Sequence, residues 1–276
     1  EAGKTMGLFP YGKENSEIPD IYTNYDGRSD WATTNRDLIV PTYPNGAIVN
    51  KGRFLELREP MDTSGVKDLT QLDNRRDLAY AIQTESQSMV LDLIRKAVKM
   101  SGEKNVVLSG GYGLNCVANY WYLEQLKDEG INLFVEPVSN DAGTAIGAAY
   151  WHYQKVSKNT KVHPPIKDLY YGPEYEYDKE YITDLANYYD ATRIFEADHE
   201  DAIDLISKKN IVAMFQGKSE SGPRALGNRS IMYDPRDPNG KDHVNTIKRR
   251  EYFRPFAGSI LKEHVHCLLY TSPSPR

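Results

Sequence analysis

Ile211-Val-Ala-Met-Phe-Gln216-Gly-Lys-Ser-Glu-Ser-Gly-Pro-Arg-Ala-Leu-Gly-Asn-Arg-Ser-Ile-Met-Tyr-Asp-Pro-Arg236 is the stretch from which the organisation of the chain is read. The apolar run Ile211–Phe215 reads as a strand, and it opens into Gly217, Gly222 and Gly227 with Lys218, Arg224, Arg229 and Arg236 interleaved. Glycines let backbone N–H groups come close to an anion, and arginine offers a planar fork of donors matched to phosphate or carboxylate. Lys218, Arg224 and Arg229 are therefore candidate catalytic residues, with Gly217 and Gly222 as candidate binding positions. The competing reading is a surface loop with solvated arginines.

Downstream, 242–250 reads as a helix ending in Lys248-Arg-Arg250, ahead of an apolar strand expected over Phe253–Ile260. A solvated helix end explains three adjacent cations; Lys-x-Arg ahead of an apolar strand also resembles the signature of YrdC-like domains, which implies Lys248 and Arg250 as catalytic candidates that hold phosphates. Upstream, helices are expected over 181–189 and 199–208, with a short strand at Ile194–Phe195. Residues 157–167 are polar and contain Pro164-Pro165, as expected of a linker, here bounded at 159–169. Further upstream, Val106–Leu108 reads as a strand running into Ser109-Gly-Gly-Tyr-Gly-Leu-Asn115 and a helix over 117–127. Strand, glycine turn and helix can present N–H groups to a nucleotide, which makes Gly110, Gly111, Gly113 and Asn115 cofactor-binding candidates. Such turns are also common as plain structure. A second strand over 131–135 leads to Asp141, in a tight turn before a small-residue helix, where it could act as a ligand or as a helix N-cap. Apolar positions from Leu78 to Val98 recur at helical spacing and place a long packing helix over 77–100. Residues 3–13 read as a flexible lead-in loop, and 14–75 as loops, short strands and an insertion.

Taken together, GPRALGNRSI, DPR, KxRExFRPF, SGGxGLNxxAN, SNDAGxAIGAA and the GKxMGLxPYG of residues 3–12 resemble the NodU/CmcH family of O-carbamoyltransferases, over about residues 3–263. The resemblance implies an α/β fold: the second half of an actin-like (ASKHA) ATPase-superfamily domain over 1–158, then a partial YrdC-like domain over 170–266. Residues 267–276 have no counterpart in that resemblance and are expected to be a non-native tail. It also implies a reaction in which carbamoyl phosphate and ATP, with Mg2+, give carbamoyl adenylate, whose carbamoyl group passes to the hydroxyl of a small molecule. Asp141 matches a family ligand to a divalent metal, iron foremost, with manganese or zinc as alternatives. The two histidines that complete that set are not matched here, so the chain is expected to be an internal fragment. Lys4 and Tyr11 fall where the family lines its acceptor site. The rivals are a tRNA threonylcarbamoyl or hydrogenase-maturation enzyme, a kinase of the same superfamily, and a non-catalytic nucleotide-binding scaffold.

Bulk properties narrow the class. The chain of 276 residues has 39% hydrophobic content, enough for two cores. Its net charge of −5 argues against a general nucleic-acid or membrane-surface binder. Yet residues 217–255 hold nine Lys or Arg against five Asp or Glu, so positive charge gathers where an anion would sit. The two cysteines, Cys116 and Cys267, are too few for a disulfide framework and fit a reducing, cytoplasmic setting. No apolar run reaches bilayer length and no secretory signal opens the chain.

Overall fold

The computed structural model of the chain describes residues 2–16, 18, 20–24, 32–34, 39–42, 46–49, 73–158, 166, 168–190 and 195–264. The chain packs as two compact units, one formed by residues up to Glu136 with those from Phe253 onward, the other by Pro137–Tyr252.

The first unit begins with helix α1 (Ala2–Leu8) and a 3-10 turn over Phe9–Tyr11. Two antiparallel strand pairs follow, β1 (Tyr22–Asn24) with β2 (Ala32–Thr34) and β3 (Ile39–Thr42) with β4 (Gly46–Val49). Helix α2 (Asp73–Ser101) is the long packing helix, and it starts earlier than its apolar periodicity suggests. Its first turns are held from outside the helix: the buried carboxylate of Asp77 accepts the Lys13 N–H at 2.9 Å and the Asn15 amide at 3.0 Å. Gly102, at φ 75°, ends α2 and returns its N–H to the Val98 carbonyl at 2.9 Å.

Strand β5 (Asn105–Leu108), helix α3 (Cys116–Leu126) and strand β6 (Asn132–Val135) form a β-α-β unit, in which β5 and β6 pair in parallel with Val106 opposite Leu133. Leu91 and Ile94 of α2, Ala118, Tyr122 and Leu126 of α3 and Leu133 of β6 form the core that holds α2 and α3 on this pair. Arg95 of α2 pairs with Glu129 at 2.6 Å, tying the helix to the turn before β6.

The second unit holds α4 (Asp141–Ser157), α5 (Lys179–Tyr188), α6 (His199–Ser207), β7 (Val212–Phe215), β8 (Arg229–Met232) and α7 (Gly240–Ile247). Side-chain caps start the first three helices: Asn140 for α4, Asp178 for α5, and a reciprocal capping box of Asp198 and Asp201 for α6. Strands β7 and β8 pair antiparallel, with Phe215 opposite Arg229. The glycine-rich loop 216–228 joins them.

Three sequence expectations are corrected. Residues 3–13 are α1 and a 3-10 turn rather than a loose loop: Phe9 stacks on Tyr80 of α2 at 5.5 Å, and Gly7 is close enough to Phe253 and Pro255 that a Cβ there would meet Pro255 Cδ at 3.3 Å. Phe253–Ile260 forms no strand, since Pro255 removes a donor and Phe253 is buried individually. Phe195 lies in no strand and is exposed, because the chain beyond it turns at once into the cap of α6; its expected strand partner in sequence, Ile194, lies outside the described residues. The linker span is likewise outside them except for 166, 168 and 169, and so are Cys267 and the tail 267–276.

Candidate anion-binding loop

The loop between β7 and β8 turns at Gly222 and Gly227, whose φ values of 112° and 115° lie where only glycine sits without strain. Between them Arg224 is exposed, as is Lys218 earlier in the loop, and no ion pair among the described residues engages either side chain. Val138, fully buried, lies against Gly222, 3.6 Å from where a Cβ would stand.

The loop's centre is an acidic residue that sequence reasoning left without a role. One carboxylate oxygen of Glu220 accepts the N–H groups of Leu226 at 2.8 Å, Asn228 at 2.8 Å and Arg229 at 3.1 Å. Desolvation alone would raise the carboxyl's pKa. The surrounding backbone N–H groups, those of Leu226, Glu220 itself, Arg229 and Asn228, outweigh it and hold the value at about 2. Glu220 is thus ionised and occupies donors that a phosphate would otherwise take. The signal available in sequence was its oddity: one acid between Lys218 and Arg224 in a segment otherwise built of glycine, small residues and cations.

Arg229 points its guanidinium inward. It donates to the carbonyls of Gln216 at 2.6 Å, Asn228 at 3.0 Å and Gly217 at 3.2 Å, and its carbon sits 3.7 Å from the ring centre of Phe215. Its fork is spent on joining the two ends of the loop. Arg236 is also committed, gripping Asp234 through Nε at 2.9 Å and Nη2 at 2.7 Å, and this fork, with the Arg236 N–H, holds the Asp234 carboxyl at about 2. Of the loop's cations, Lys218 and Arg224 are the ones presented outward.

A second contribution comes from 169–173, a segment the sequence did not single out. It runs beside 219–221, with the Gly172 N–H on the Ser219 carbonyl at 2.9 Å, the Ser219 N–H on the Pro173 carbonyl at 3.2 Å and the Ser221 N–H on the Leu169 carbonyl at 2.6 Å. The Tyr170 hydroxyl donates to the Leu226 carbonyl at 2.9 Å. Leu226 is therefore held at both polar groups of its backbone.

The helix-end cations divide in the same way. Arg250 Nε donates to Asn245 Oδ1 at 2.5 Å, and the buried Asn245 passes its amide to the Tyr252 carbonyl at 3.1 Å. Arg249 takes the left-handed conformation at φ 49° that closes α7, and Lys248 remains exposed.

In the first unit, Gly110 and Gly111 have open space where side chains would be, at the carboxyl end of β5 where parallel strands place ligands. Gly113 is buried. Asn115 caps α3 by accepting the Ala118 N–H at 3.1 Å, and its amide nitrogen donates to the buried Gln83 at 2.9 Å. Its side chain serves the fold. Asp141 is exposed at the first position of α4, and the N-cap is its neighbour Asn140. No group of three or more His, Cys, Asp or Glu among the described residues is arranged to hold a metal. A single carboxylate does not make such a site. Lys4 is half-buried in α1, and Tyr11 is exposed at the end of the 3-10 turn.

Comparison with known proteins gives the family. The family model for the carbamoyltransferase N-terminus matches residues 1–150, and that for the carbamoyltransferase C-terminus matches 203–275, a range that holds the whole loop and most of 267–276. The chain belongs to the carbamoyltransferase family. It is 33% identical over 270 residues to nodulation protein NolNO of Sinorhizobium fredii, covering 95% of this chain and 37% of that protein. Nodulation protein NolO of Bradyrhizobium diazoefficiens is 31% identical over 274 residues, covering 94% of this chain and 45% of NolO. Uncharacterized protein sll1178 of Synechocystis is 35% identical over 275 residues, covering 95% of this chain and 43% of that protein. The chain spans less than half the length of these relatives. Among the described residues, no helix is long and apolar enough to cross a membrane.

Proposed function

We propose that this carbamoyltransferase chain serves an enzyme that activates carbamoyl phosphate with ATP and passes the carbamoyl group to a hydroxyl of a small molecule. The observation that carries the reading is the pinned loop 216–228, lying within the matched C-terminal carbamoyltransferase region, with Arg224 and Lys218 exposed and in no ion pair among the described residues. In the activation, water hydrolyses carbamoyl phosphate to carbamate and phosphate; the carbamate oxygen then attacks the α-phosphorus of ATP, forming carbamoyl adenylate and releasing pyrophosphate. Negative charge is spread over phosphate oxygens throughout, so fixed cations on a rigid loop supply the positioning and electrostatics this step needs. Arg224 suits this because its donors form a planar fork, whereas Lys218 and Lys248 act as point charges. ATP carries Mg2+ as its counter-ion, and the open turn at Gly110–Gly111 is the second place where nucleotide phosphates would be accepted. We place the activity in the cytoplasm, where both donors occur.

The test is to incubate the full-length protein with ATP and carbamoyl phosphate and follow AMP and pyrophosphate. AMP formation dependent on carbamoyl phosphate is expected, and Arg224→Lys, which keeps the charge but loses the fork, should lower kcat/KM roughly tenfold to a hundredfold, the equivalent of a charge-assisted contact of about 1.5–3 kcal/mol. Release of ADP indifferent to carbamoyl phosphate identifies a kinase instead, and ATP binding without turnover identifies a scaffold.

A further inference from the structure

The loop that presents Arg224 has no regular secondary structure of its own, so something must fix it. Its strongest internal fastening is the three-way hydrogen bond of Glu220 to Leu226, Asn228 and Arg229. From Glu220, Leu226 lies beyond the turn at Gly222, and Asn228 and Arg229 lie beyond the turn at Gly227 as well, so the carboxylate closes the loop across its own base. Arg229 closes it again from β8 through the carbonyls of Gln216 and Gly217, and Tyr170 holds the Leu226 carbonyl. Donors and acceptors are thus fastened by opposite charges, carboxylate on N–H and guanidinium on C=O, and the residues between them carry the outward-facing Arg224.

We propose that Glu220 is a positioning residue for donor-phosphate binding: its carboxylate gathers the N–H groups of Leu226, Asn228 and Arg229 and so fixes the turn that aims Arg224 at the anion. This rests on the functional reading above. A carboxylate left unengaged in a cationic loop repels phosphate. Here its charge is engaged by backbone dipoles, and it serves to pre-order the loop, so that Arg224 is aimed before the substrate arrives. Glu220 itself touches no substrate.

The experiment compares Glu220→Gln, Arg224→Ala and the double variant in the full-length protein, reading KM for carbamoyl phosphate and for ATP, kcat, and hydrogen exchange at the amides of Leu226, Asn228 and Arg229. Glu220→Gln keeps the side chain's size and one acceptor but loses the charge. It is expected to speed exchange at those amides and to raise the KM for carbamoyl phosphate about tenfold. In the Arg224→Ala background the same change should move that KM less than twofold, since there is no longer a fork to aim. Tyr170→Phe, which leaves the carboxylate alone, should shift KM in the same direction by a smaller factor and covers the case in which Glu220→Gln does not fold. Unchanged KM in the folded single variants, or a Glu220→Gln effect of full size without Arg224, overturns the positioning role while leaving the activity in place. Wild-type protein that makes no AMP from the two substrates overturns the functional reading instead, and with it the role given to Glu220.

Discussion

Replacing Gly172 by alanine tests whether the 169–173 segment is a working part of the loop. The φ at Gly172 is not in the left-handed region, so alanine fits the backbone and the change is purely steric. A Cβ there would stand 2.6 Å from Ser219 Cβ and 2.8 Å from its carbonyl oxygen. Carbon atoms in contact settle at about 3.5–4.0 Å, so the two segments must part by roughly 1 Å. That opening takes the Gly172–Ser219 bond at 2.9 Å and the Ser219–Pro173 bond at 3.2 Å beyond useful range. Two neutral hydrogen bonds at about 0.5–1.5 kcal/mol each give a cost of roughly 1–3 kcal/mol, the same range as overpacking in general. At about 4 °C per kcal/mol for a domain of this size, the melting midpoint of the second unit should fall by roughly 4–12 °C in calorimetry. Ser219→Gly removes the nearer clash but not the carbonyl, so in that background Gly172→Ala should cost less, though still something. A drop below about 1 °C, or a drop of equal size in both backgrounds, would show that the segment does not pack on the loop as described.

Acid should act on the second unit chiefly through Glu220 and Asp234, and Asp237, whose carboxyl is lowered by the hydrogen bond from the Tyr233 hydroxyl, adds in the same direction. Glu220 and Asp234 are both depressed to about 2, so their contributions are complete above the ordinary carboxylate range and are lost as pH falls through about 2. Urea midpoints measured between pH 6 and pH 2 should fall steeply at the acid end, and Glu220→Gln or Asp234→Asn should flatten that slope; parallel curves refute the assignment. In the first unit, burial raises the Tyr122 pKa, and a hydrogen bond of 3.0 Å to the Tyr112 hydroxyl adds to it. Stability from that phenol is complete below about pH 10 and declines above it, so Tyr122→Phe should cost about 1 kcal/mol at pH 8 in urea unfolding and should remove part of the alkaline loss.

Much of the architecture follows from local sequence physics. The spacing from Leu78 to Val98 determined a long helix, the runs around Val106 and Leu133 determined strands, and the glycine turns between them determined where the chain reverses. The same local reading placed Ile211–Phe215 before a cationic glycine loop, which is what the structure has. What it could not reach were properties set by partners distant in sequence. Asn115 reads as a ligand candidate until Gln83 is brought beside it, and Arg229 reads as an anion binder until the Gln216 and Gly217 carbonyls occupy its fork. Phe253–Ile260 has a strand's composition, but Phe253 is buried singly and Pro255 withholds a donor. Glu220 is the clearest case. A sequence shows that a carboxylate is present, but only the folded loop shows three N–H groups converging on one of its oxygens, because a hydrogen-bond acceptor's role is decided by which donors the tertiary structure aims at it.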